Sequence, residues 1–247
     1  MKSVQTYQII ANESLTPNVF KMVLKGDTSW VTNPGQFINI TVDCGYLKRP
    51  ISICDYDESS LTIIYKAVGL GTEWMANQAV GTMLEVLVGL GNGFTPEETS
   101  HALLVGGGVG VPPLYRLCKD LIAKGVDVDV ILGFNTKDEC FYEEEFKQLG
   151  ATVTVCTVDG SLGVKGFVSE AIMNDLKEYP YYSCGPLPML KAVFNASNAK
   201  GQLSFEERMG CGFGACMGCS CKTLTGYKRI CVEGPVMKSE EILWTKD

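Results

Sequence analysis

Short apolar runs rich in β-branched and aromatic residues alternate with Gly, Pro and Asp turns over the first 97 residues. They include Phe37-Ile38-Asn39-Ile40-Thr41-Val42, Leu61 to Val68 and Met83 to Val88. This spacing predicts an antiparallel β-barrel. From His101 the period changes. An apolar strand, Ala102 to Val105, leads through a glycine loop into an amphipathic helix, Leu114 to Ala123, and a second strand, Val126 to Leu132. That is a β-α-β unit, and hence a parallel sheet. Helix Glu143 to Leu149, strand Thr152 to Thr157, helix Val168 to Leu176, strand Tyr181 to Cys184 and helix Met189 to Asn195 continue the alternation. After Gly201 glycine and cysteine dominate, and large apolar residues are too few for an independent core, so a bound metal is expected to organise the segment. The expected architecture is β plus α/β in three units: a barrel over 1–97, a doubly wound parallel-sheet domain over 98–200, and a small C-terminal domain over 201–247.

Composition narrows the chemistry. With 247 residues and 46% apolar side chains the chain can bury more than one core. A net charge of −7 with only 21 Lys and Arg argues against nucleic-acid or anionic-membrane surfaces. No apolar run approaches the roughly 18 to 20 residues of a membrane span, and the start MKSVQTYQII lacks the regions of a signal peptide, so a cytoplasmic location is expected. The eleven cysteines are then reduced thiols. Six (Cys44, Cys54, Cys118, Cys140, Cys156, Cys184) are scattered and read as packing, whereas Cys211, Cys216, Cys219, Cys221 and Cys231 lie close together. His101 is the only histidine, which leaves little room for Ser-His-Asp or Cys-His catalysis; a solvent-facing or capping role is expected for it.

The run Cys211-Gly-Phe-Gly-Ala-Cys216-Met-Gly-Cys219 reads C-x4-C-x2-C, and Cys231 follows after eleven residues. This is the plant-type [2Fe-2S] ligand spacing, with glycines that let backbone N–H groups approach the sulfurs. The competing reading is a four-cysteine zinc site, which usually takes two C-x2-4-C pairs. Cys221 has no place in the pattern. Gly106-Gly107-Gly108-Val109-Gly110-Val111-Pro112-Pro113 follows a strand and opens a helix, where a backbone cradle binds pyrophosphate. It departs from G-x-G-x-x-G, since Pro113 stands near the third glycine, and a purely structural turn competes. A second small-residue turn, Cys184-Gly185-Pro186, ends the last expected strand of that sheet, where ligands of such sheets sit.

Together Arg49-Pro50-Ile51-Ser52, Gly71-Thr72, the glycine loop and Cys184-Gly185-Pro186 resemble the ferredoxin-NADP reductase superfamily over residues 1 to about 200. With the cysteine loop and its sequel Lys228 to Val236, nearly the whole chain is similar to the electron-transfer subunits (PyrK type) of class 1B dihydroorotate dehydrogenases. The resemblance implies FAD on the barrel, with Arg49 at the pyrophosphate, Pro50 and Ile51 beside the flavin, and Ser52 near its N5. It also implies that Ile64, Tyr65 and Lys66 run along the cofactor and that Gly71-Thr72 caps a helix facing phosphate. NAD would lie on Gly107, Gly108 and Gly110, with Cys184, Gly185 and Pro186 positioning the nicotinamide. Cys211, Cys216, Cys219 and Cys231 would hold the [2Fe-2S] cluster. Superfamily members often carry an aromatic residue where this chain has Ile51, so contacts there must be apolar.

A nicotinamide delivers two electrons as hydride while such a cluster takes one at a time, so a flavin is needed between them. No base or pocket for oxidising dihydroorotate is evident. The resemblance therefore implies an FMN-containing catalytic partner (PyrD type) in a heterotetramer of two of each chain, serving pyrimidine synthesis. The end of the second strand, Gly133 to Lys137, carries neither a ribose-binding carboxylate nor an arginine for a 2′-phosphate, and NAD is the expected nicotinamide. Two rivals lie close: the small subunit of an NADH-dependent ferredoxin:NADP oxidoreductase, whose first ligand is often Asp where this chain has Cys211, and a sulfite reductase subunit. A rival from another class is a zinc-stabilised nucleotide sensor.

Overall fold

In a computed structural model, residues 2–244 are described. The first unit is built from β1 (Ser3–Thr16), β2 (Val19–Lys25), β3 (Phe37–Ile40), β4 (Arg49–Tyr56), β5 (Ser60–Lys66), helix α1 (Leu70–Ala76) and β6 (Met83–Leu90). The six strands close into an antiparallel barrel in the order β1-β2-β5-β4-β3-β6. Side-chain alternation explains the continuous apolar runs. On β5, Ile63 and Tyr65 face the barrel interior while Ile64 joins the core shared with the second unit. On β3, Ile38 and Ile40 point inward and Phe37 packs outward against the C-terminal segment.

The second unit runs β7 (His101–Gly107), α2 (Pro112–Ala123), β8 (Asp127–Phe134), α3 (Glu143–Leu149), β9 (Thr152–Thr157), β10 (Val164–Lys165), α4 (Val168–Ala171), β11 (Tyr181–Cys184), α5 (Leu187–Ala196) and β12 (Gly201–Ser204). The chain continues through a hairpin of β13 (Ser220–Thr223) and β14 (Gly226–Arg229) and returns as β15 (Val236–Lys238). The sheet order is β10-β9-β8-β7-β11-β12-β15, so the direction of winding reverses between β7 and β11. Strands β7 to β12 pair in parallel, and β15 adds antiparallel to β12 through Gln202↔Lys238 and Ser204↔Val236. Residues 201–247 thus supply two strands of the second unit's sheet.

The helix expected over Val168–Leu176 ends at Ala171. Asn174 takes a left-handed conformation (φ 52°), and a 3-10 turn over Asn174–Glu178 follows. His101 opens β7 and is half-exposed, its ring stacked on Tyr179 and its Nε2 3.4 Å from Asp127 Oδ2.

Helix α2 joins the two larger units. Its apolar face (Leu114, Leu117, Cys118, Leu121) shares one core with Val19, Cys54 and Ile64 of the barrel. At the rim of that core Arg116 donates to Asp55 (3.3 Å), to Asp120 (2.8 Å) and to the Tyr56 carbonyl, and its guanidinium lies 3.9 Å from the Tyr56 ring centroid. Lys119 adds a 2.9 Å contact to Asp55. Each such part-exposed pair contributes about 0.2–1 kcal/mol, so burial of the apolar face dominates and the polar rim fixes orientation.

Candidate functional site

A cavity of about 580 Å³ opens where the winding reverses, between the carboxyl ends of the parallel strands and the barrel. Gly107, Gly108, Phe134, Pro186 and Met189 line it from the sheet, and Val19 and Lys66 from the barrel. The glycine loop and the Cys184-Gly185-Pro186 turn are packed against each other. A Cβ on Gly110 would lie 2.2 Å from the Cys184 carbonyl oxygen and 2.7 Å from Gly185 Cα. Only glycine permits that approach. Cys184 itself is buried; desolvation pushes its thiol up to about 12, with the Glu206 charge adding to the effect. The thiol stays protonated, so this turn can position a ring but not act as a nucleophile.

Two carboxylates in the cavity had no signal in the sequence pattern. Glu206 reaches it from just after β12, and desolvation by the surrounding protein lifts its carboxyl above the ordinary glutamate value. Glu139 lies two residues beyond the segment in which a ribose-binding carboxylate was sought. It accepts a hydrogen bond from Asn135 Nδ2 (2.8 Å) and lies 3.8 Å from Lys66 Nζ. Phe167, 64% exposed, offers a bare aromatic face in the same cavity.

On the barrel, Arg49 opens β4 and pairs with Ile40, and Ser52 pairs with Phe37. The Arg49 guanidinium turns back to the carbonyls of Leu47 and Lys48 and lies against α1, where a Cβ on Gly71 would sit 2.0 Å from Arg49 Nε. Arg49, Gly71 and Thr72 are therefore brought together. The cap differs from the expected one: Gly69 is the N-cap, and Thr72 lies within the first turn, its hydroxyl accepting from Val68 N–H (3.0 Å) and donating to the Gly69 carbonyl (3.1 Å). The first-turn N–H groups remain available to an anion. The Tyr65 ring is inside the barrel, its hydroxyl donating to Asn12 Oδ1 (3.1 Å), so only its backbone can face a cofactor. Pro50, Ile51 and Ser52 are half-buried, Ile64 is buried, and Lys66 points into the cavity.

The cysteines gather in two pairs. The Cys211 thiol neighbours that of Cys216, and the Cys231 thiol neighbours that of Cys219. Backbone N–H groups of Ala215 (3.3 Å) and Cys216 (3.4 Å) point at Cys211 Sγ, Gly218 N–H at Cys216 Sγ (3.4 Å), and Cys231 N–H at Cys219 Sγ (3.5 Å). Desolvation opposes ionisation of Cys211, yet hydrogen bonds led by those from Cys216 and Phe213 bring its thiol down to about 6; burial and the adjoining Cys219 push Cys231 up to about 12. Among the described residues no three His, Cys, Asp or Glu side chains converge on one metal ion. Two thiol pairs under a canopy of N–H groups suit a two-iron cluster, each iron taking two thiolates, better than a single zinc. Cys221, on β13, belongs to neither pair. The loop is held by Arg229, which donates to the Gly214 carbonyl (3.0 Å) and pairs with Glu233.

Comparison with known proteins gives these groupings a family. Residues 206–243 match the family model for the iron-sulfur cluster binding domain of dihydroorotate dehydrogenase B, and residues 104–195 match an oxidoreductase NAD-binding domain. An electron transfer subunit of dihydroorotate dehydrogenase B (NAD(+)) from Fusobacterium nucleatum is 47% identical over 94% of this chain and 95% of its own length. That of Bacillus mycoides is 44% identical over 98% and 100%. The chain belongs to this family. Its members are electron transfer subunits that work with a catalytic partner, and the two matched domain models are those of an iron-sulfur cluster and of NAD. The solved NADH-dependent reduced ferredoxin-NADP oxidoreductase superimposes with a TM-score of 0.88 at 29% identity, over 96% of this chain and 90% of that one. A ferredoxin reductase of carbazole 1,9a-dioxygenase gives 0.69 at 23% over 78% and 64%, a likeness of fold. No helix among the described residues is long and apolar enough to cross a membrane.

Proposed function

We propose that this chain carries electrons between an FMN-containing catalytic subunit and NAD⁺, in a cytoplasmic heterotetramer of two of each chain. One observation carries the reading. In the barrel, β4 lies between β5 and β3; the cavity reaches β5 at Lys66, Arg49 to Ser52 lie on β4, and the cysteine loop rests on β3 at Asn39. That strand order supports a reading in which the residues for flavin lie between those for nicotinamide and those for the cluster. FAD, when bound, supplies the exchange between hydride and single-electron chemistry.

The residues divide accordingly. Arg49 and the first turn of α1 hold phosphate, and Ile51, Ser52 and the backbone of Ile64, Tyr65 and Lys66 line the flavin. Gly107, Gly108 and Gly110 receive the nicotinamide cofactor's pyrophosphate. Cys184, Gly185 and Pro186 orient its reactive ring, a contribution of positioning rather than proton transfer. Phe167 offers a stacking surface for adenine, and Glu139 sets the preference for NAD, because a carboxylate accepts ribose hydroxyls and repels a 2′-phosphate. Cys211, Cys216, Cys219 and Cys231 hold the cluster. The functional units run 1–97, 98–200 and 201–247, the last lending β12 and β15 to its neighbour.

An anaerobic visible spectrum with iron, sulfide, zinc and flavin analysis, before and after NADH, tests the proposal. Flavin bands with two irons and two sulfides per chain, bleached by NADH, are expected; a colourless zinc protein would refute it. A higher kcat/KM for NADPH than for NADH would refute the assignment of Glu139.

A further inference from the structure

Asn39 lies on β3 among Phe37, Ile38 and Ile40, at a position where an apolar residue would pack well. It is 1% exposed, and its Oδ1 has no hydrogen-bond partner among the described residues. Leaving such an oxygen unpaired costs about 1–3 kcal/mol, so stability alone does not account for an amide there. Ile38 and Ile40 occupy the barrel interior, and Asn39 is on the opposite face, under the cysteine loop. Its Nδ2 is 3.5 Å from the Cys211 carbonyl, long for a hydrogen bond. Gly212, at φ 75°, passes so close that a Cβ would fall 2.5 Å from that nitrogen. Its register partners are Pro50, in the Arg49-Pro50-Ile51-Ser52 segment of β4, and Leu87 on β6.

We propose that Asn39 is the residue by which the barrel positions the cysteine loop and sets the reduction potential of the cluster that loop holds. The inference rests on Cys211 being a ligand. The amide nitrogen, the positive end of the side-chain dipole, faces the segment of the first ligand. A positive dipole end beside a cluster favours the added electron, and hydrogen bonding and burial are the means by which proteins tune such potentials. The same contact fixes the distance from the loop to the strand that pairs with the flavin segment. Asn39 is therefore a positioning residue and touches no reacting atom.

The test uses the full chain co-expressed with its catalytic partner, comparing wild type with Asn39→Asp, which keeps the shape but loses the donor, and Asn39→Leu, which loses polarity. Iron, sulfide and flavin content, the electron paramagnetic resonance spectrum of the reduced cluster, its midpoint potential by redox titration and the melting temperature are measured. The potential is expected to fall in both, most in Asn39→Asp, by about 59 mV or more, the equivalent of a tenfold change in a one-electron equilibrium. Loss of iron from a variant that keeps its flavin and melting temperature also supports the positioning role. Wild-type potential and spectrum in both variants would overturn it, as would joint loss of iron, flavin and stability in both, which would make Asn39 ordinary barrel packing. A wild type without iron would instead refute the ligand assignment.

Discussion

Gly110→Ala isolates the contact between the two turns that line the sheet side of the cavity. Gly110 is buried and has no left-handed conformation to lose, so the substitution acts through space alone. Its new methyl would lie 2.2 Å from the Cys184 carbonyl oxygen, whereas ordinary contact begins near 3.4 Å; the difference is 1.2 Å. Both nearest neighbours belong to the Cys184-Gly185 backbone, so no rotamer change relieves the clash and the turn itself must retreat. Overpacking of this kind costs about 1–3 kcal/mol of stability. A displacement of about 1 Å in a group that aligns reactants costs about 100-fold in rate, or about 2.7 kcal/mol. The assay is steady-state NADH oxidation with a soluble artificial acceptor, with flavin and iron content measured in parallel. The expected result is a fall of about 100-fold in kcat/KM for NADH with flavin and iron retained. A value within about threefold of wild type, at full cofactor content, would refute the argument that the contact of the two turns sets the nicotinamide position.

Cys219→Ser should abolish the cluster's absorbance and the electron flow to the partner while NADH still bleaches the flavin; Cys221→Ser should leave the spectrum unchanged, and the reverse result would move the ligand assignment. Glu139→Gln should lower the preference for NADH over NADPH by about tenfold, read from the ratio of kcat/KM values; an unchanged ratio would dismiss Glu139 as the selector. A double-mutant cycle of Arg116→Ala and Asp55→Ala should show coupling of about 1 kcal/mol and slow hydride transfer without moving the cluster potential. Additive effects would show that the Arg116–Asp55 pair does not fix the orientation of the two units. Desolvation raises the Glu206 carboxyl, so its contribution to stability is complete below the ordinary value of 4.5 and is lost as pH rises through the raised value. Glu206→Gln should therefore gain in melting temperature relative to wild type as pH rises above 4.5, and a difference that does not change with pH would contradict this.

Elements with one clean period were legible in the sequence: Glu143–Leu149, Thr152–Thr157 and Tyr181–Cys184 have the expected limits. Runs bounded by glycine or proline shifted by a residue or two, as for β8, expected over Val126 to Leu132 and found over Asp127–Phe134. What local pattern cannot hold is pairing at long range. Gln202-Leu203-Ser204 and Val236-Met237-Lys238 are too short to show a period, and only their partners in the sheet make them strands. The cysteine spacing was legible because one loop supplies three thiols; Glu139, Glu206 and Asn39 were not, because each meets its site through elements distant in sequence. Asn92 is another such residue. Its amide donates to the carbonyls of Glu233 (3.0 Å) and Val236 (2.7 Å), fastening the C-terminal segment to the end of the barrel.

The order of strands in the barrel bears on how one small chain can connect two-electron and one-electron chemistry without large motion. Neighbouring strands lie about 4.8 Å apart, so β5, β4 and β3 together span about 10 Å. The cavity abuts the first of these strands, Arg49 starts the second, and the cysteine loop rests on the third. Each attachment is made by a different set of bonds: α2 with Asp55 and Tyr56 on one side, Asn39 and Asn92 on the other. A barrel has no free edge along which such strands can slide, so their register, and with it the spacing of the three sites, is set by closure. The two ends of the chain of sites are then open to separate tests: Gly110→Ala is expected to act on the nicotinamide step, and Asn39→Asp on the cluster.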